Sequence, residues 1–219
     1  MRIRDKIKKP QRPVVAYEIL PPREKDGTLN AYAETISSLL SQTHIDAINI
    51  PEVHDEVGRG ERPVSNQERG EPRKFGMLLQ DIVGIEAIVN RVVVHMPLKK
   101  QMEWIQETYS KYEIDNLIIV GGESSKQKYP GPTVNESLEK ISQDNRRREN
   151  SILCGGICIP SRRKESKNLI RKSECGAEFF TTQVLCDSDN VIKMIKNYQE
   201  RCDKVNTFPR RILLSFAPV

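Results

Sequence analysis

The stretch VVAYEILPP, residues 14–22, decides how this chain is read. A short run that is apolar except for Glu18 leads into a Pro-Pro pair, the pattern of a buried strand ending at a loop. Four further segments repeat it: Asn49 in DAINIP (46–51), His95 in RVVVHMP (91–97), Glu123 in LIIVGGE (117–123) and Gln183 in FFTTQVLCD (179–187). A carboxylate, imidazole or amide inside such a run costs several kcal/mol unless it is paired or put to use. Five intrusions at the same end of successive strands predict a polar floor at the mouth of an α/β barrel, where barrel enzymes keep their chemistry.

The segments between these strands carry helical patterns. Thr28–Gln42 has Leu29, Ala33, Ile36 and Leu40 on one stripe, and Pro72–Val83, Lys99–Tyr112, Thr133–Asn145, Arg163–Cys175 and Ser188–Cys202 follow. Gly176 supplies a C-cap, and Ser188 or Asp189 an N-cap. With further strands at Ser151–Pro160 and Arg210–Val219, the chain reads as seven strands and six helices. That alternation is the signature of βα units and a parallel sheet. The expected fold class is α/β, of the (β/α)8 TIM-barrel type, in one domain spanning residues 1–219. A closed barrel needs one more helix–strand–helix set, so a truncated barrel, an open sheet and a barrel completed by a partner all stay open. The stretch Glu52–Glu71 is polar and aperiodic; after the second strand, it is expected on the catalytic face as a lid or a disordered segment.

Composition narrows the function classes. The net charge of +5 is mild, and the basic clusters at the N-terminus, at 146–148 and at 161–167 read as solvated surface. Only 5% of residues are aromatic, too few to interleave a basic face with stacking platforms, so nucleic acid is not an expected partner. No apolar run approaches the roughly 20 residues of a membrane span, and the charged N-terminus has no secretory h-region. The five cysteines include no CxxC pair; Cys154 and Cys158 share a strand face, and all five are expected as thiols of a reducing cytoplasm. No HExxH, GxSxG, P-loop or GxGxxG pattern is present, so no metal site is expected.

Strand alternation places Val14, Ala16, Glu18 and Leu20 on one face, and an inward Glu18 would suit a general acid. Glu123 follows Gly121 and Gly122, a pair that lets a flat ligand approach the backbone. Gln183 offers a donor and an acceptor to the edge of a heterocycle such as a pterin or flavin.

Several segments resemble the methylenetetrahydrofolate reductase family of flavin-dependent (β/α)8 barrels. YEILPPRE (17–24) is similar to that family's opening strand, VHMP (94–97) to its third-strand His segment, and LIIVGGE (117–123) to its fourth-strand turn. ECGAEFFTTQVLCD (174–187) and RRILLSFAPV (210–219) resemble its sixth and seventh strands. The resemblance implies reduction of 5,10-methylenetetrahydrofolate to the 5-methyl form in one-carbon and methionine metabolism, with FAD as cofactor and NADH or NADPH as electron donor. It implies catalytic roles for Glu18 and Glu123, and folate contacts for Gln183 and Asn49. His95, Gly122, Tyr129, Glu165 and Lys172 would hold the flavin. The sequence departs from the family where NIPEVHDE (49–56) replaces a flavin-binding turn and Gly121 an Arg. A non-catalytic folate- or flavin-binding subunit with a partner chain, a homo-oligomer, and a pterin-dependent methyltransferase therefore stand beside the reductase.

Overall fold

A computed structural model describes residues 1–53, 69–122, 127–147 and 151–217. Its strands are β1 (Ala16–Glu18), β2 (Ala47–Ile50), β3 (Ala87–Val92), β4 (Asn116–Val120), β5 (Leu153–Cys158), β6 (Phe179–Val184) and β7 (Arg211–Ser215). The α-helices among the described residues are α1 (Ile3–Lys8), α2 (Leu29–Leu40), α3 (Pro72–Val83), α4 (Leu98–Tyr112), α5 (Val134–Asn145), α6 (Glu165–Glu174) and α7 (Ser188–Lys204). Each strand pairs in parallel with its successor, in the order β1 to β7. Parallel neighbours need a crossover, and helices α2 to α7 provide them. The sheet curls into a half-barrel, with β1 and β7 as its edges among the described residues.

Period-two alternation sorts the strand residues into two cores. Ile48, Ile50, Val89, Leu117, Ile119, Cys154, Cys158 and Phe180 face outward into the helix layer. Ala47, Ile88, Ile118, Leu153 and Phe179 face inward, with Ala16, Val120, Ile157 and Leu213 beside them. Gly155 leaves room for the Phe179 ring across the β5–β6 pair, since a Cβ there would lie 2.5 Å from it.

The basic N-terminal run is not a solvated surface. It forms α1, whose Ile3 and Ile7, one turn apart, are buried against the inward core and close the N-terminal end of the half-barrel. Burying each is worth roughly 1.5–3 kcal/mol. Its cations meet acids placed one residue before successive strands. Arg2 pairs with Glu86 and Asp115, Lys6 with Asp46 at 3.0 Å, and Lys8 with Glu178 at 2.8 Å. Arg12 adds a two-pronged bond to Asp46. Burial pushes the Asp46 carboxyl up, but bonds from the Val15 amide, Lys6 and Arg12 outweigh it and hold it below its ordinary value.

Two other expectations shift. The third strand runs from Ala87 to Val92, not from Arg91 to Pro97, and Val93–His95 is a 3-10 turn beyond its end. Helix α3 stops at Gly84 in the left-handed region (φ 72°), so the chain enters the sheet three residues later, at Ala87. The N-cap of α7 is Asp187, whose carboxylate accepts from the Asp189 and Asn190 amides, in place of Ser188 or Asp189. Most of Glu52–Glu71 lies outside the described residues.

Candidate functional site

At the C-terminal ends of β1, β2 and β3 three inward polar side chains stand on adjacent strands. Glu18 is in register with Asn49, and Asn49 with Ile88; Asn90 is two residues beyond Ile88 on the same face of β3. The Asn49 amide nitrogen donates to Glu18 Oε2 at 2.7 Å. A carboxylate only accepts, so this bond fixes the amide's orientation and turns Asn49 Oδ1 away from Glu18. Asn49 Oδ1 and Asn90 Oδ1 are both buried without a hydrogen-bond partner among the described residues, in residues only 8% and 9% exposed. Buried polar atoms of this kind are rare and call for an explanation. Along the wall the register leads to Ile118, Val120 and Ile157, an apolar surface beside the polar end.

The strand end carrying Asn90 is held firmly from the other face. Arg91 points into the helix layer, where it donates to Gln101 at 2.8 Å and to Glu52, and lies 4.2 Å over the Trp104 ring. Burial lowers its guanidinium from the ordinary value, and the Glu52 charge opposes that shift. Glu52 also accepts from the Val92 amide at 2.8 Å, tying the residue just after β2 to the end of β3.

The residues singled out in the sequence fall into separate groups. Glu18 and Asn49 meet at the mouth, but Glu18 is exposed because β1 is an edge strand; the sheltered carboxyl expected of a closed barrel does not form. Gln183 is also exposed, within the register shift between Thr181 and Val184 of β6. Glu123 lies outside the described residues. His95, Gly122 and Tyr129 do come together, but packed on one another: the His95 and Tyr129 rings meet edge-on at 5.7 Å. A Cβ on Gly122 would fall 2.2 Å from Tyr129 Cζ. The flat group lying against that glycine is the protein's own tyrosine.

Glu165 and Lys172 sit behind β5, on its helix side. The fully buried Glu165 carboxylate accepts from the Ile159 amide at 3.0 Å, Asn168 at 3.1 Å and Arg162 at 3.3 Å. Lys172 donates to the Ile157 carbonyl and lies 3.7 Å from Glu165. Burial lowers the Lys172 ammonium, and burial and then the Glu165 charge push the nearby Cys158 thiol up to about 12. Tyr129 over Gly122 and the β5–α6 turn around Glu165 leave these residues unsuited, as arranged, to hold a flavin.

Asn90 escaped sequence reading. It interrupts AIVNRV (87–92) just as Asn49 interrupts AINI, but the apolar run Val92–Val94 drew the expected strand four residues too far along at its start and five at its end. The Gly84 cap and the usual short link from helix to strand carried the correcting signal.

No protein-family model and no curated protein matches this chain. Among solved structures, it is similar to a protein from Clostridium thermocellum that binds two copies of 5-methyl-5,6,7,8-tetrahydrofolic acid. The TM-score is 0.74 at 18% identity, covering 96% of this chain and 68% of that one. It is also similar to 2,3-dimethylmalate lyase, a member of the PEP mutase/isocitrate lyase superfamily, at TM-score 0.61 and 10% identity over 97% of this chain and 79% of that one. Oxaloacetate acetylhydrolase gives TM-score 0.61 at 9% identity, over 98% and 79%. At these identities the likeness establishes the barrel-like fold; the reductase-family resemblance rests on its sequence motifs alone.

Proposed function

We propose that the chain binds a reduced folate, with the pterin ring seated at the mouth of the half-barrel against Glu18, Asn49 and Asn90. The observation that carries this reading is the pair of buried amide oxygens, Asn49 Oδ1 and Asn90 Oδ1, left without donors among the described residues and beside a carboxylate. Such a set of acceptors suits a ligand that presents several N–H groups along one edge. A tetrahydropterin does so with its 2-amino group, N3–H and N8–H, and its flat ring suits the Ile118, Val120 and Ile157 wall. The Clostridium thermocellum protein of similar fold binds 5-methyltetrahydrofolate, which supports the same ligand class here. Binding is the function proposed, and flavin-dependent reduction is not part of it.

Calorimetric titration with 5-methyltetrahydrofolate tests the reading. Wild type is expected to bind, and Asn49→Ala and Asn90→Ala each to weaken binding by about 10- to 100-fold, from one lost bond and the ligand donor it leaves unpaired. Wild type that does not bind, or variants that bind as well as wild type, would refute it.

A further inference from the structure

Beside the mouth, between the β1–α2 connection and the approach to α3, lies an open cleft of about 450 Å³ lined by Glu18, Ile19, Leu20, Pro22, Arg23, Asp26, Tyr32 and Arg69. Glu18 is its shared wall: the carboxylate that meets Asn49 in the half-barrel also borders the cleft. Two guanidinium groups are assembled there by backbone geometry. Arg23 and Arg69 face each other in an isolated antiparallel bridge, and the Gly70 amide donates to the Pro22 carbonyl at 2.9 Å. Asp26 grips Arg23 through Nε at 2.8 Å and Nη2 at 3.2 Å and so fixes its direction. Arg69 donates through Nη1 to the Pro21 carbonyl at 2.8 Å, a contact that orients the guanidinium without neutralising it. Ile19, Leu20, Pro22 and Tyr32 supply an apolar and aromatic neck; Tyr32 is itself steadied against Phe75, with ring centroids 5.8 Å apart.

We infer that this cleft is a subsite for the aminobenzoyl-glutamate tail of the folate, with Arg69 and Arg23 receiving its carboxylates. The inference rests on the pterin reading above and adds a specificity to it. A folate is a flat N–H-rich ring joined through a benzoyl group to glutamate. The molecule thus passes from an acceptor-lined mouth, across an apolar neck, to the Arg69 guanidinium and the Arg23–Asp26 ion pair beside it. Guanidinium is the side chain best matched to carboxylate geometry, and charge-assisted bonds of this kind are roughly twice as strong as neutral ones. Each added γ-linked glutamate brings another carboxylate, so the cleft selects for polyglutamylated folates.

The test is calorimetric titration of the full chain with three probes: 6-methyltetrahydropterin, which has no tail, and 5-methyltetrahydrofolate with one or three glutamates. Wild type is expected to bind the triglutamate about tenfold more tightly than the monoglutamate, as one added carboxylate–guanidinium contact would give. Arg69→Ala should remove that preference and leave affinity for the tail-less pterin unchanged, and Arg69→Lys should restore part of it. Raising salt should erode the triglutamate advantage first. Equal affinity of wild type for all three probes overturns the tail subsite while leaving the pterin site standing. Equal weakening of all three probes by Arg69→Ala also overturns it, by showing a merely structural role. Wild type that binds none of the probes overturns the pterin reading and this one together.

Discussion

Replacing Asn90 by Leu should make the protein more stable and a poorer binder at once. Asn90 is 9% exposed and its Oδ1 has no partner among the described residues, so the folded chain carries the desolvation cost of an amide oxygen, about 1–3 kcal/mol. Leucine has the same number of side-chain non-hydrogen atoms and would extend the apolar wall of Ile88 and Ile118. Its bulkier methyl groups cost about 1 kcal/mol in a packed interior, which leaves a net gain of up to about 2 kcal/mol. In a protein of this length that is a rise in Tm of up to about 8 °C. Scanning calorimetry of the ligand-free protein measures it, and titration with 5-methyltetrahydrofolate should show the accompanying loss of affinity. Residues held at a cost to stability are the usual mark of a binding site. An Asn90→Leu protein that melts lower than wild type, or binds equally well, would refute the assignment of Asn90 to the ligand.

The remaining expectations concern the frame around the site. Ile7→Ala should cost about 2–4 kcal/mol in urea denaturation, because α1 plugs the inward core through Ile3 and Ile7; a change under 1 kcal/mol would mean that α1 is dispensable. Asp46 has a folded pKa below its ordinary 3.8, so its contribution is present above that value and is lost as pH falls through the folded pKa. Asp46→Asn should therefore cost about 1 kcal/mol at neutral pH and flatten the acid limb of the stability curve below about pH 4. An unchanged acid limb would contradict this. Glu165→Gln leaves the buried Lys172 without its counter-charge and should destabilise by about 3–5 kcal/mol, read by thermal melting, whereas a melt like wild type would restore a role for Glu165 outside the frame. Gly122→Ala must displace the Tyr129 ring and should cost about 1–3 kcal/mol; no loss would mean that the ring moves aside freely.

Much of the architecture was legible in the sequence because hydrophobic periodicity and chain punctuation agree. Pro72–Val83 matches α3 at both ends, since Pro at the first turn and Gly84 after the last mark them. The site was legible only in part. Glu18 and Asn49 meet at the mouth, where both were expected, but their pairing follows from a strand register that the sequence does not state. Asn90 was hidden by the long VVV run, in which burial alone does not say where a strand becomes a turn. The roles of Glu165 and the N-terminal cations depend on which acid meets which base across the tertiary fold, and spacing along the chain does not encode that. Tyr129 filling the space over Gly122 is likewise a loop packing effect that no local pattern announces.

The most direct measurement is a crystal structure of the chain with 6-methyltetrahydropterin bound. Ring N–H groups within about 3.2 Å of Asn49 Oδ1 and Asn90 Oδ1, with Glu18 on the same edge, is the expected result. A ring lodged elsewhere, with both amide oxygens still buried and unpartnered, would contradict the assignment of the half-barrel mouth as the pterin site.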